Sequence, residues 1–481
     1  MSVESGTGGE SSKLYADHAK IYPAAVSGTF RRIKWVILVI GLAIYYFLPF
    51  LRWTRAPGQP DQAILLDLPG RRFYFFFIEI WPQEVYYVTG LMIIAAFVLF
   101  LMNAVAGRIW CGYLCPQTAW TDLYFAVERL FQGDRRVQMK RDKGPWTFDK
   151  LWRKAVTHLV WILIAWWTGG AWVLYFADAP TLVKELATFE APSIAYVWIG
   201  LLTASTYLLA GFAREQVCLY MCPWPRIQAA LTDEWALNVS YRVDRGEPRG
   251  SLKQNNKLRA EGRPAGDCVD CGRCVAACPT GVDIRNGLQM GCIQCGLCID
   301  ACDEVMVKLG KPKRLIGYDT DINIERRERG EPPVQRFVRA RTMIYVVLIV
   351  AAAAVMGWRL STRATIGVNV LHDRNPQFVT NSDGSIRNGY TVRLLNKDPH
   401  ARDLTLSVTG LPAGSTLDTS SIARHDDGRL VFTTEPDQTR EVRILVVVPA
   451  KAVIGASTDV VFELVAPGGE VARAKDFFKA P

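Results

Sequence analysis

Eight of the twelve cysteines fall within one stretch, as Cys268, Cys271, Cys274, Cys278 and then Cys292, Cys295, Cys298, Cys302. Both sets read C-x2-C-x2-C-x3-C. Each iron of a [4Fe-4S] cube takes one thiolate at its open corner, and a C-x2-C-x2-C loop supplies three at once. The fourth ligand normally comes from the other set. The spacing therefore predicts one cluster on Cys268, Cys271, Cys274 and Cys302, and a second on Cys292, Cys295, Cys298 and Cys278. Structural zinc sites also use C-x2-C pairs, but they rarely carry a third evenly spaced cysteine and a fourth at x3. Pro279 matches the Cys-Pro end of the bacterial ferredoxin run, whereas the second run ends Cys302-Asp303. Such a chain is expected to move electrons.

The other four cysteines form two matching pairs, in WCGYLCP (Cys111, Cys115, Pro116) and VCLYMCP (Cys218, Cys222, Pro223). Positions i and i+4 of a helix share a face, which predicts the two thiols of a pair about 5 to 6 Å apart at their Cβ atoms. Proline cannot donate a helical hydrogen bond, so it kinks or restarts the chain there. Soft thiolates select Cu(I), zinc or iron–sulfur over hard cations. A low-coordinate thiolate site favours Cu(I) over Cu(II), so these pairs could draw copper through a one-electron reduction, with a cubane as a compatible donor. His158 is a further candidate copper ligand or proton relay, weighed against an interfacial histidine with no role. Met221 is a candidate thioether ligand, weighed against plain packing. A membrane haem would need a pair of facing histidines, and only His158 is near an apolar segment. No Gly-rich dinucleotide fingerprint follows a predicted strand.

The elements that must position these residues are largely membranous. Half of the 481 residues are hydrophobic, with 15 Trp and 21 Phe. Five stretches lack charge over a spanning length: Trp35 to Leu51, Val85 to Gly107, Ala155 to Ala177, Ala191 to Ala213 and Thr342 to Trp358. A cleaved signal peptide is not expected, because no small-residue cleavage site follows the first apolar run. Arg31, Arg32 and Lys34 directly precede the first stretch, which predicts a cytoplasmic N-terminus. The segments between stretches two and three and between four and five carry ten and twenty-one Lys/Arg; the opposite loops carry four and one. The net charge of +10 is then a topology signal and a handle on anionic lipid rather than on nucleic acid. All twelve cysteines fall on the expected reducing side.

This gives a multi-pass membrane protein in five parts: a cytoplasmic arm (1–34), four spans with two Cys-x3-Cys-Pro motifs (35–235), a cytoplasmic linker and 2[4Fe-4S] ferredoxin domain (236–340), a fifth span (341–360), and a domain outside the cytoplasm (361–481), the periplasm in a bacterial inner-membrane protein. The aromatic run from Phe73 to Trp81 is expected in the membrane interface. Leu237 to Gly266 and Gly310 to Pro333 are polar and read as linkers. Beyond Ser361, short alternating runs at Tyr390 to Leu395, Leu404 to Val408, Leu430 to Thr433, Val442 to Val448 and Val460 to Leu464 predict an immunoglobulin-like β-sandwich. Its role is expected to be docking or stability. His372, His400 and His425 could bind metal if the fold gathered them, but turn or surface positions suit them better.

The segments KIYPAAVSGTFRRIKW, DLPGRRFYFFFIEIWPQE, GRIWCGYLCPQTAWTDL, REQVCLYMCPWPRIQAA, CPTGVDIRNGLQMGCIQCGLCIDACDEVM and LHDRNPQFVTNSDGSIRNGYTVRLLNK together resemble the FixG/RdxA/CcoG family of cbb3-type cytochrome c oxidase accessory proteins. The resemblance implies a bacterial inner-membrane Cu(II) reductase that helps deliver Cu(I) to the oxidase. On it, the eight ferredoxin cysteines are cluster ligands, and Cys111, Cys115, Cys218 and Cys222 are the copper-handling, catalytic set. It also implies an unidentified cytosolic electron donor, copper chaperones or a copper transporter and oxidase assembly factors as partners, and it leaves a homodimer open. Related membrane ferredoxins oxidise quinols, so a quinol-linked protein is one alternative and a non-catalytic copper scaffold another.

Overall fold

The computed structural model describes residues 20–55, 59–398, 400–421, 423–426, 429–450, 452 and 455–481, with backbone alone at 424–426. The chain divides into two compact units, Met1–Ala354 and Val355–Pro481, the division falling inside the last apolar helix.

Among the described residues, five helices are long and apolar enough to cross a membrane: Thr29–Phe50, Pro82–Ala106, Phe148–Val173, Ser193–Ala213 and Ala340–Ser361. Two of them, the first and the third, begin well before the charge-free stretch that marks them in the sequence. The first does so because its charges are buried against protein. The Arg31 guanidinium donates at 2.8 Å to both oxygens of Asp122, and Lys34 Nζ stands 3.8 Å from the same carboxylate. The third begins where Thr147 caps it, accepting from the Lys150 N–H at 3.3 Å. Asp300, on a distant helix, accepts from the Phe30 and Arg31 backbone N–H groups at 3.3 and 2.8 Å. A carboxylate there satisfies orphan donors at the start of the first span and complements its dipole.

Between the second and third spans lies an amphipathic helix, Pro116–Gln132, which buries Asp122, Tyr124, Phe125, Val127 and Glu128. The stretch from Ile64 to Ile80 is a three-stranded antiparallel sheet, Ile64–Asp67, Arg72–Phe75 and Ile78–Ile80. The aromatic run read as an interface belt is thus partly a folded meander, with Tyr74 and Trp81 buried in it. Arg55 and Arg72 lie over those two rings at 5.0 and 4.2 Å.

The polar stretches read as linkers are structural. Asn238–Tyr241 pairs antiparallel with Ile316–Asp319, and Val239, Tyr241, Leu315 and Ile316 pack in one core with Cys268, Cys274 and Cys292. Four-residue strands are too short to announce themselves by periodicity, and their burial comes from partners some 75 residues away. The cysteine loops are therefore clasped by the chain on both sides of them.

The second unit is a sandwich of two antiparallel sheets. One runs Thr416–Thr419, Gln438–Val448, Ile386–Asn396, Ile366–His372, with Val379–Thr380 also on Ile386–Asn396. The other runs Arg424–Asp426, Arg429–Thr434, Arg402–Thr409, Ser457–Val465, Val471–Lys479. Tyr390, Val392 and Leu394 face Leu404, Leu406, Phe432, Phe462 and Leu464 across the core, all fully buried. Each such burial stabilises by about 1.5–3 kcal/mol. The edge strand Val471–Lys479 is masked in the sequence by the charges of Arg473, Lys475 and Asp476, as sheet edges require.

Candidate functional site

The two cysteine runs fold as copies of one loop. In each, the residue before the second cysteine, Asp270 or Gln294, has positive φ (47° and 55°), as does the glycine after it, Gly272 or Gly296 (64° and 73°). Left-handed residues in such turns aim successive N–H groups into the loop, making a concavity for anionic atoms. Gly272 and Gly296 then open the helices Arg273–Ala277 and Leu297–Lys308. Pro279 stops the first helix at Cys278. Asp303 imposes no such stop, so the second helix runs on to Lys308, and Asp303 accepts from the Arg314 N–H at 2.7 Å.

Cys268, Cys271, Cys274 and Cys302 line one small cavity, backed by Tyr241, Met306 and Leu315. Cys278, Cys292, Cys295 and Cys298 line another. Electrostatic coupling divides the thiols the same way. Burial pushes Cys302 up to about 12, and Cys274, Cys271 and Cys268 add to it. Burial likewise raises Cys298, followed by Cys295, Cys292 and Cys278, with Cys274 of the other set contributing least. Among the described residues, no three His, Cys, Asp or Glu side chains close on a point that could hold a single metal ion. Thiols spread around a cavity suit a cubane, whose ligands sit at separate corners; a structural zinc would need them to converge at about 2.3 Å. The donor sets fit iron–sulfur clusters.

The membrane-edge pairs are a repeat at the level of the backbone. Gly107 (φ 54°, ψ −125°) and Arg214 (φ 44°, ψ −115°) end the second and fourth spans in the same unusual conformation, each four residues before the first cysteine of its pair. After each comes a turn closed five residues back: the Cys115 N–H bonds the Trp110 carbonyl at 2.9 Å and the Cys222 N–H bonds that of Val217 at 2.7 Å. These wide turns replace the regular helix face expected from the spacing. The second cysteine of each pair has extended backbone, ψ 126° and 123°, and a helix restarts at Pro116 or Trp224. The Arg214 conformation is costly for a residue with a Cβ. It is held by a buried ion pair from its Nη2 to Glu128 at 2.6 Å and by a bond from its Nε to the Gly211 carbonyl at 2.6 Å.

The two pairs share one electrostatic environment. Burial pushes the Cys111 thiol up to about 12, with Cys115, Cys218 and Cys222 raising it further and Arg108 opposing them. Burial pushes Cys218 up to about 11, with Cys115, Cys222 and Glu215 adding. Cys111 Sγ donates to Gln228 Oε1 at 3.2 Å, which ties the first pair to the helix that follows the second.

Cys111 also meets the second ferredoxin set. It packs in one buried apolar cluster with Ile293, Cys295 and Leu297. Tyr113 Oη donates to the Cys295 carbonyl at 2.9 Å, and the Arg108 N–H to Gln294 Oε1 at 2.8 Å. Between them, Gly112 lies so near that a Cβ would stand 2.7 Å from the Ile293 carbonyl oxygen and 3.1 Å from Cys295 Cα.

A family model for a 4Fe-4S dicluster domain matches residues 213–321, and one for the Ig-like fold at the C-terminus of FixG matches 356–481. The nitrogen fixation protein FixG of Rhizobium meliloti is 46% identical over 462 residues, 91% of this chain and 88% of the relative. The chain belongs to the FixG family. Proteins RdxB and RdxA of Cereibacter sphaeroides are 52% and 47% identical over 403 residues, each covering 83% of this chain and 84% of the relative. A further model, for a 4Fe-4S binding domain, matches residues 88–137, a segment whose cysteines are Cys111 and Cys115. This FixG-family chain is accordingly an iron–sulfur protein with an oxidoreductase's equipment.

The remaining candidates lie elsewhere. His158 sits in an aromatic box, its Nδ1 3.0 Å from Tyr207 Oη and its ring stacked on Phe212. Met221 is 62% exposed on the protein surface. His372 bonds Asn388 and the Asp373 carbonyl, whereas His400 pairs with Asp398. His372 is in register with Tyr390, and Asn396 holds the His400 backbone; six strand residues between them make about 20 Å. They are not gathered, and the His425 side chain lies outside the described residues. Gln228, Gly112 and Tyr113 are the site residues that spacing alone missed. Gly112 and Tyr113 lie inside the WCGYLCP motif, and Gln228 lies six residues beyond the second pair in the segment REQVCLYMCPWPRIQAA.

Proposed function

We propose that this chain is a bacterial inner-membrane iron–sulfur oxidoreductase that reduces Cu(II) to Cu(I) for assembly of a cbb3-type oxidase. Cys268, Cys271, Cys274 and Cys302 would hold one [4Fe-4S] cluster, and Cys292, Cys295, Cys298 and Cys278 the other. When bound, the clusters supply one-electron storage and transfer. Cys111, Cys115, Cys218 and Cys222 bind the copper substrate, which takes up one electron as it passes from Cu(II) to Cu(I). Their soft, half-buried sulfurs favour the reduced ion, and Gln228 orients the Cys111 thiol. The reading rests above all on the Cys111–Cys295 apolar cluster, because a one-electron exchange needs its two ligand sets as neighbours.

In this reading the N-terminus and both cysteine sets face the cytoplasm and the Ig-like domain the periplasm, following the excess of Lys and Arg. A cytosolic donor, copper chaperones or transporters, oxidase assembly factors and a second copy of the chain are the partners it calls for. The test is anaerobic Cu(II) reduction by the dithionite-reduced protein under a Cu(I)-specific chelator, with cluster bleaching followed in the same cuvette. Cu(I) should form repeatedly as reductant is added, and Cys111→Ala or Cys222→Ala should stop it without loss of cluster absorbance. Clusters that stay reduced beside excess Cu(II) would overturn copper reduction and direct the search to quinols. The match over 88–137 favours a second reading, in which the membrane-edge thiols themselves ligate iron. Iron analysis separates the two, since copper handling leaves about eight irons per chain, four for each of two clusters.

A further inference from the structure

A cavity of about 240 Å³ opens where the arm residues Pro23 to Val26, the start of the first span, the helix Pro116–Gln132 and the cysteine-run domain meet. Trp35 and Phe125 wall it, and Pro279 closes one side. Its lining holds more guanidiniums than carboxylates. Arg31 and Arg129 both line it, with Asp122 as the single carboxylate, and Asp122 is already shared between Arg31 and Lys34.

The Arg31 side chain is 10% exposed, and its Nη2 is buried without a hydrogen-bond partner. The Arg129 guanidinium has no hydrogen bond or ion pair among the described residues. Burial first, and then the Arg31 charge, hold it below the ordinary arginine range, against the smaller opposing pull of Asp122, Asp134 and Glu128. A buried donor left without a partner is costly, and more so when it is charged. Arginine forks match phosphate oxygens. Basic pockets at the membrane edge are where anionic headgroups bind.

We propose that this cavity binds a phosphate group, supplied by an anionic phospholipid headgroup or by free phosphate, through Arg31 Nη2 and the Arg129 guanidinium. It is separate from both thiol sets and stands whether or not copper is the substrate. Its placement beside Pro279 would set a phosphate next to the loop of Cys278.

The experiment uses full-length protein, delipidated in phosphate-free buffer. It measures thermal stability and native-mass lipid retention with phosphatidylglycerol, with phosphatidylcholine, and with inorganic phosphate. Arg129→Gln is compared with Arg136→Gln, an exposed cation on the next helix. Phosphatidylglycerol should be retained and raise Tm, phosphatidylcholine should not, and Arg129→Gln should weaken retention about fivefold, the share of one basic residue. Arg136→Gln should behave as wild type. A Tm rise with inorganic phosphate alone, lost in Arg129→Gln, would assign the site to free phosphate. If Arg129→Gln does not fold, Arg129→Lys should still bind more weakly than wild type. No response to either phosphate source, or equal responses from Arg129 and Arg136 variants, would overturn the site.

Discussion

Gly112 lies against Ile293 so closely that a Cβ would come within 2.7 Å of its carbonyl oxygen. The neighbour is backbone and cannot swing aside. Gly112→Ala must therefore push the Cys111 turn away from the Cys295 loop, or strain both, at about 1–3 kcal/mol. The expected result is a Tm several degrees lower and slower Cu(II) reduction, with the cluster absorbance retained. Wild-type Tm and rate in Gly112→Ala would show that the two thiol sets do not depend on this contact.

Metal loading at the membrane edge should depend steeply on pH. Burial holds Cys111 up to about 12 and Cys218 up to about 11, so both are thiols at neutral pH. A metal must displace their protons, and each proton released makes affinity rise about tenfold per pH unit. Cu(I) affinity, measured by chelator competition between pH 6 and 8, should increase with pH, at a slope near two where one thiol of each pair is bound. A flat profile would mean that neither thiol is a ligand.

What was legible in the sequence was chemistry and hydrophobic length. The cysteine spacing marked both runs, and the charge-free stretches marked all five spans. What was illegible was whatever a distant partner decides. Arg31 and Lys34 read as the charged end before a span, yet they lie inside the helix because Asp122 receives them. Asn238–Tyr241 read as linker because its strand partner lies beyond both cysteine runs. The i, i+4 face expected of Cys111 and Cys115 gave way to a wider turn, since Pro116 restarts the helix immediately after Cys115.

Asp142 pins the N-terminal arm. It accepts from Lys20 at 3.1 Å and Tyr22 at 2.8 Å and pairs with Lys154 at 2.8 Å. Burial alone would raise its carboxyl, but the hydrogen bonds from Lys154, Tyr22 and Lys20 win and hold it well below the usual range. A depressed folded-state pKa gives stability that is present above the unfolded value of about 3.9 and is lost as pH falls toward the folded one. Arm docking should accordingly be constant from pH 8 to 5 and weaken below pH 4. Asp142→Asn should release the arm at pH 7, seen as faster amide exchange at residues 20–26. Unchanged exchange in that variant would place the anchor elsewhere, at Asp134 and the Ala25 N–H.

Arg214 carries two burdens, a positive φ of 44° and a buried pair with Glu128. Their side chains are 9% and 5% exposed. Arg214→Ala keeps the backbone strain and leaves Glu128 as an unpaired buried charge, a loss of about 3–5 kcal/mol. Arg214→Gly relieves the strain but not the charge, so it should be the milder of the two. Adding Glu128→Gln should recover part of the loss in either background, because the abandoned charge is gone. Unfolding of these four variants, the Glu128→Gln single variant and wild type in one detergent supplies the double-mutant cycles. Additive losses would mean that the pair is not coupled, and equal losses for Ala and Gly would mean that the turn before Cys218 is not strained.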